Sequence, residues 1–180
     1  MSGNLLENLG KRGEKILVEN LVDKKEKISV KLKGSFGEAF ILTDKRVYIL
    51  KWGFMAGNLI GGRCNAFDFH RIIGLEIKKE FGGGVLEVLT AANQNTQKSY
   101  WGAGENDAIK SDNVVTFNWD KSDLFQEATR KVRKLLSESK SERESEVLYY
   151  TELEKLAELK EKGIITEEEF NLKKRQILGL

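Results

Sequence analysis

Few of the 180 residues could do chemistry. His70, the single histidine, follows Phe67-Asp68-Phe69 near the end of a strand-like stretch. A general base needs a group that orients it, and a histidine without a companion reads as a surface or satisfied side chain. Cys64, the single cysteine, would act as a nucleophile only beside a base. Its setting among alternating apolar residues reads as ordinary burial. One Cys excludes an internal disulfide, and one His with one Cys fits no structural zinc spacing. The carboxylates fall mostly on helical stretches with Lys or Arg three or four residues away, as on solvated helix faces. No enzyme motif occurs, so the reading is a non-enzyme with no catalytic residue, metal site or cofactor.

The least ordinary stretch is Gly53-Phe54-Met55-Ala56-Gly57-Asn58-Leu59-Ile60-Gly61-Gly62. It lies between two strands rather than between a strand and a helix, so it is no dinucleotide fingerprint. Either the loop folds back and its apolar side chains fill the open end of the sheet, or they face a neighbouring subunit or a lipid surface. In the second reading Lys51, Phe54, Met55 and Arg63 form a lipid- or partner-facing loop. Tyr100-Trp101, in an otherwise polar stretch, is read as an anchor for a long loop, with a recognition hook as the alternative.

Charge narrows the partners. Lys and Arg total 30 against 28 Asp and Glu, a net of +2, too weak to draw the chain to nucleic acid. Lys31 with Lys33, and Lys45-Arg46, sit at successive turns that point to opposite ends of a sheet, so they do not converge on an anionic headgroup. A membrane surface is therefore a weak alternative. The longest uncharged run, Trp52 to Gly62, falls far short of the ~20 residues of a spanning helix, and the N-terminus lacks the features of a signal peptide. These features lead to the expectation of a cytoplasmic protein, with a peripheral place at the inner membrane face as the alternative.

Which elements position these residues is written in the periodicity. Residues 1–25 read as a helical segment, with Leu5, Leu9, Ile16, Leu17 and Leu21 near helical spacing and interruptions at Gly10 and Gly13. From residue 26 the period becomes two: Ile28, Val30 and Leu32 alternate with polar partners. Further strands follow at 38–43, 47–52, 63–69, 73–81, 85–89 and 114–117, with Gly82-Gly83-Gly84 as a hairpin turn. Seven short strands joined mostly by short turns imply an antiparallel meander that closes into a small barrel or sandwich. An amphipathic helix with Leu124, Phe125, Ala128, Val132, Leu135 and Leu136 on one stripe then covers an open end.

Residues 138–146 contain no apolar side chain and read as a solvated linker or the exposed tail of a helix. A helical hairpin occupies 147–180. Gly163 stops its first helix, and Thr166-Glu167-Glu168-Glu169 is a capping box between Ile165 and Phe170.

The run from Leu153 to Phe170, with its leucine-bearing helix, Gly163, the pair Ile164-Ile165, Thr166, three glutamates and Phe170, resembles the SHOCT (short C-terminal) domain. Residues 37–136 resemble bacterial pleckstrin-homology-like domains, through Leu42-Thr43-Asp44-Lys45-Arg46-Val47, the Gly53–Gly62 run and Ile73-Gly74-Leu75-Glu76-Ile77. The resemblance implies a β+α fold: an antiparallel seven-stranded PH-like barrel over 26–137, capped by a C-terminal helix and followed by the small hairpin. It also implies a protein that binds other proteins, itself or membranes.

The expectation is a non-enzymatic interaction protein whose SHOCT tail mediates self-association or capture of another protein. Leu153, Leu156, Leu159, Ile165, Phe170 and Ile177 form the expected contact stripe. The alternative is a peripheral module for anionic lipid.

Overall fold

The computed structural model describes residues 5–52, 61–92, 98, 99, 102 and 107–179. The chain divides into two compact units, Met1–Leu136 and Ser137–Leu180. The first holds helix α1 (Gly10–Asn20) and strands β1 (Ile28–Lys33), β2 (Glu38–Thr43), β3 (Arg46–Lys51), β4 (Arg63–Asp68), β5 (Ile72–Glu80), β6 (Gly83–Thr90) and β7 (Val114–Asn118). Helix α2 (Ser122–Glu161) crosses the boundary between the units, and α3 (Glu167–Leu178) belongs to the second.

The seven strands stand where the alternation places them. They form two antiparallel sheets, ordered β1-β2-β3-β4 and β5-β6-β7, and among the described residues no strand pairing joins β4 to β5. The expected closed barrel is thus observed as two separate sheets. The sheets meet where the β1–β2 turn reaches β7: Ser35 N–H donates to Thr116 O at 3.0 Å, and the Ser35 hydroxyl lies 2.9 Å from Asn118 Oδ1.

One core fills the space between them. Val30, Leu32, Phe40 and Ile49 of the first sheet and Leu86, Val115 and Phe117 of the second pack with Phe125, Ala128 and Val132 of α2. The Phe117 and Phe125 rings stack 4.4 Å apart at 14°. Burying such a side chain contributes about 1.5–3 kcal/mol. The start of α2 therefore covers the core, as its apolar stripe requires.

The first sheet is covered on its other face too. Ala39, Ile41, Tyr48 and Leu50 pack beneath Ile16 and Leu17 of α1 and Leu9 just before it. Burial on both faces explains why β2 reads Ala39-Phe40-Ile41-Leu42, a continuous apolar run, whereas β1 alternates. The N-terminal segment is helical only from Gly10. Before it the chain runs parallel to β1, with Lys31 N–H donating to Leu5 O at 2.7 Å and Glu7 N–H to Lys31 O at 2.8 Å.

The Gly82–Gly84 turn also resolves differently. Gly82 alone takes a positive φ, +88°, while Gly83 and Gly84 are residues of β6. Gly84 is there for close approach: a Cβ on it would lie 2.5 Å from Phe117 Cζ. Residues 138–146, expected as a linker or helix tail, are helical within α2. Their side chains support that: Lys140 pairs with Glu144 at 3.7 Å, and Arg143 Nε donates to Ser139 O at 3.0 Å.

Gly84→Ala is expected to destabilise the fold by about 1–3 kcal/mol, because the Phe117–Phe125 stack must shift to admit one methyl. Chemical denaturation measures this; an unchanged midpoint would remove the argument for close approach.

Candidate functional site

The terminal hairpin is assembled by local chemistry. Gly163, at φ +66°, ends the first helix: Ile164 N–H donates to Leu159 O and Gly163 N–H to Lys160 O, both at 2.9 Å, which is the Schellman pattern. Thr166 then caps α3. Its hydroxyl oxygen accepts from Glu169 N–H at 3.2 Å while Glu169 Oε2 accepts from Thr166 N–H at 2.8 Å, so the expected capping box is present. Lys160 ties the two helices, with its ammonium 2.5 Å from Glu167 Oε2 and 4.9 Å from the centre of the Phe170 ring.

What this hairpin lacks is a core. Leu153, Leu156, Leu159, Ile165, Phe170 and Ile177 are all half-buried, and no residue of 137–179 whose side chain is described is buried. Outside that stripe stand large apolar side chains in water: Tyr150 is 69% exposed, Val147 65%, Leu172 61% and Leu148 57%. Tyr149, Tyr150, Leu153, Ile177, Leu178 and Gly179 line a groove of about 350 Å³. The tyrosines were missed by reasoning from a single stripe. The signal was there, because four successive residues Val147-Leu148-Tyr149-Tyr150 at 100° per residue sweep most of the way round a helix. No one partner surface within a hairpin can cover all four.

The lipid- or partner-facing loop fares differently. Lys51 is fully buried, a correction to its expected place on that loop. The β2–β3 register sets it directly opposite Glu38, which is also fully buried. The Lys51 ammonium lies 2.5 Å from Glu38 Oε2, and donates to Ile109 O at 2.8 Å and Ala108 O at 3.2 Å. Glu38 Oε1 accepts from Thr116 N–H at 2.8 Å and from the Thr116 hydroxyl. Burial pushes the Glu38 carboxyl above the usual carboxylate range and the Lys51 ammonium below its own, each opposed by the charge of the other. Arg63 is exposed on β4, with Nη1 3.0 Å from Asp112 Oδ1 and Nη2 donating to Lys110 O at 3.3 Å. Phe54, Met55, Tyr100 and Trp101 lie outside the described residues.

Comparison with known proteins bears on the hairpin first. A family model described as SHOCT, short C-terminal domain, matches residues 151–178. Residues 151–178 are a SHOCT domain. The crystal structure of a pleckstrin homology domain from Shewanella amazonensis SB2B is similar at 15% identity and a TM-score of 0.33, covering 48% of this chain and 77% of that one. No match to the curated proteins was found.

The single cysteine and the single histidine both lie in unit 1. Burial pushes the Cys64 thiol up to about 11, which leaves almost no thiolate at neutral pH. His70 is exposed on the single turn Phe69–Arg71. Among the described residues, no group of three or more His, Cys, Asp or Glu side chains could hold a metal ion. None of the described helices is long and apolar enough to cross a membrane.

Two outcomes follow from these charges. Lys51→Met leaves the Glu38 carboxylate buried without its counter-ion and is expected to cost about 3–5 kcal/mol in urea unfolding, whereas Glu38→Gln with Lys51→Met restores most of that loss. An additive double variant would contradict the pairing. In the SHOCT domain, hydrogen bonds from Thr166 hold the Glu169 carboxyl below its ordinary 4.5. A carboxylate lowered on folding stabilises above its unfolded value and loses that contribution as pH falls through the folded one. The Thr166 amide should thus exchange faster as pH falls below 4.5 relative to the intrinsic rate, and Glu169→Gln should flatten that dependence.

Proposed function

We propose that this chain is a non-enzymatic interaction protein: a PH-like β domain carrying a SHOCT hairpin through which copies of the chain associate. The observation that supports this best is that no described side chain of the hairpin is buried, beside a groove lined by Tyr149, Tyr150 and Leu178. Units below ~40 residues usually need reinforcement to hold a fold. Apolar area removed from water contributes roughly 25 cal/mol per Å², so pairing Tyr149, Tyr150 and Leu178 with the same side chains of a second copy supplies what the hairpin cannot bury alone. A two-fold arrangement suits this, because one patch then serves both partners.

Surface charge is compatible with that reading. Lys and Glu are interspersed along the first helix, with Lys162 3.6 Å from Glu158, and α3 runs from Glu167–Glu169 to Lys173, Lys174 and Arg175, so like copies are not held apart by a single sign of charge. The peripheral-membrane reading loses Lys51 to the interior and leans on residues outside those described.

Multi-angle light scattering of the full chain tests the proposal. The expected mass is a multiple of 20.4 kDa. Tyr150→Glu with Leu178→Glu, both at exposed positions in the groove, is expected to return the monomer without lowering the unfolding midpoint of unit 1. A wild-type mass of 20.4 kDa at all concentrations would overturn self-association and leave capture of a different protein as the reading to pursue.

A further inference from the structure

Strand β5 is the outer strand of the three-stranded sheet, and among the described residues it pairs with β6 on one side only. Which of its backbone groups face outward follows from two hydrogen bonds. Val88, opposite Leu75, turns its N–H away from β5 to Asn113 O at 2.8 Å. Leu75 O is reached instead by Arg133 Nη2 of α2 at 3.1 Å. The pair is therefore not bonded across β5–β6, and Leu75, whose C=O already accepts from Arg133, turns its N–H and C=O away from β6. The register is regular beyond Gly74, so Ile77 and Lys79 do the same.

A groove runs along that edge. Leu75, Ile77 and Lys79 form one wall and Gln126, Thr129 and Arg130 of α2 the other, enclosing about 500 Å³. A second groove of about 430 Å³ continues from Lys79 to Phe81, Trp119 and Ser122. The two share Lys79, and Gln126 Nε2 donates to Ser122 Oγ at 3.2 Å where they meet. From Leu75 to Phe81 is six residues, roughly 20 Å of extended chain.

The groove has a polarity. Its first part carries Lys79, Arg130 and Arg133 against Glu76 alone. Its second part carries Glu80 and Asp123 beside an aromatic shelf. That shelf is rigid and exposed: the Trp119 indole N–H lies 2.7 Å from Glu80 O and 3.0 Å from Gly83 O, and the Phe81 ring meets Trp119 edge-on at 6.2 Å. Phe81 is 85% exposed and Trp119 59%. An occupant must bring acid to the first part and an apolar side chain to the second.

We propose that β5 accepts an extended acidic peptide of a partner protein as an added strand. Its backbone pairs with Leu75, Ile77 and Lys79, its carboxylates face Arg130 and Lys79, and an apolar residue at one end rests on Phe81 and Trp119. Strand addition at an open edge takes affinity from main-chain hydrogen bonds and specificity from the side-chain sites beside it. This site is separate from the SHOCT hairpin and stands or falls independently of self-association.

The probe is a synthetic seven-residue peptide of alternating Glu and Val with Phe at one end, titrated into the ¹⁵N-labelled full chain. Amide shifts are expected at 75–81 and 126–133. Arg130→Glu, at an exposed position, should weaken binding about tenfold and Arg130→Gln by less. The same peptide N-methylated at alternate residues should lose binding, since it keeps the charge but not the strand hydrogen bonds. Absent shifts, shifts confined elsewhere, or equal binding of the N-methylated peptide or of Arg130→Glu would each overturn the proposal. Phosphatidylserine vesicles that move these amides when the peptide does not would overturn it in favour of a lipid surface.

Discussion

A lysine and a glutamate face each other with no water between them, and the first unit is organised around that fact. Taking Glu38 and Lys51 out of solvent carries a desolvation penalty of several kcal/mol per ion, which their mutual attraction offsets only in good geometry with further hydrogen bonds. The structure supplies both. Lys51 reaches the carbonyls of Ala108 and Ile109, and Glu38 takes the N–H of Thr116. One pair in the first sheet is thereby joined to β7 in the second and to the chain that leads into it. Apolar packing alone is tolerant of sliding; a buried pair with several fixed partners accepts few registers. Here it holds the angle at which two sheets meet, and with it the position of the core.

The second unit is built on the opposite principle. Its order comes from residues close in sequence: a glycine in the left-handed region, a Thr–Glu box and a lysine shared between Glu167 and Phe170. Such features decide where helices begin and end, but each contributes only about 0.5–2 kcal/mol. They specify a shape without burying enough surface to secure it. A hairpin of this kind gains from any surface that covers its tyrosines and leucines, and the proposed self-association follows from that. Unit 1 has its own core, whereas among the described residues of the second unit no side chain is buried.

Much of this was legible beforehand. The strands of unit 1 stand within a residue or two of where alternation and turn residues place them, and the capping box at Thr166 is as read. The misplaced residue is instructive. Lys51, within the strand 47–52 read from the sequence, is grouped with the loop for its nearness to Phe54 and Met55. The hairpin turn at Asp44-Lys45 already implied its partner, since pairing Leu42 with Val47 carries Glu38 to Lys51. Acid opposite base at the two ends of a hairpin was the clue. The continuity of α2 through 137–146 was missed for another reason. Absence of apolar residues argues against a core contact, not against a helix whose side chains pair along its own surface.

Amino-acid order by itself determined the local architecture: the strands and their turns, the apolar stripe that opens α2, a glycine stop and a capped restart. These depend on hydrogen bonds and steric limits spanning a few residues, which any reader of the chain can apply in place. Tertiary structure alone decided which charges went inside, where Gly84 had to admit a phenylalanine, and that β5 kept one edge open beside arginines of α2. Those outcomes rest on groups far apart along the chain, such as Glu38 and Thr116 at 78 residues' separation. Their energies exist only once the sheets have met, so no window of sequence contains them.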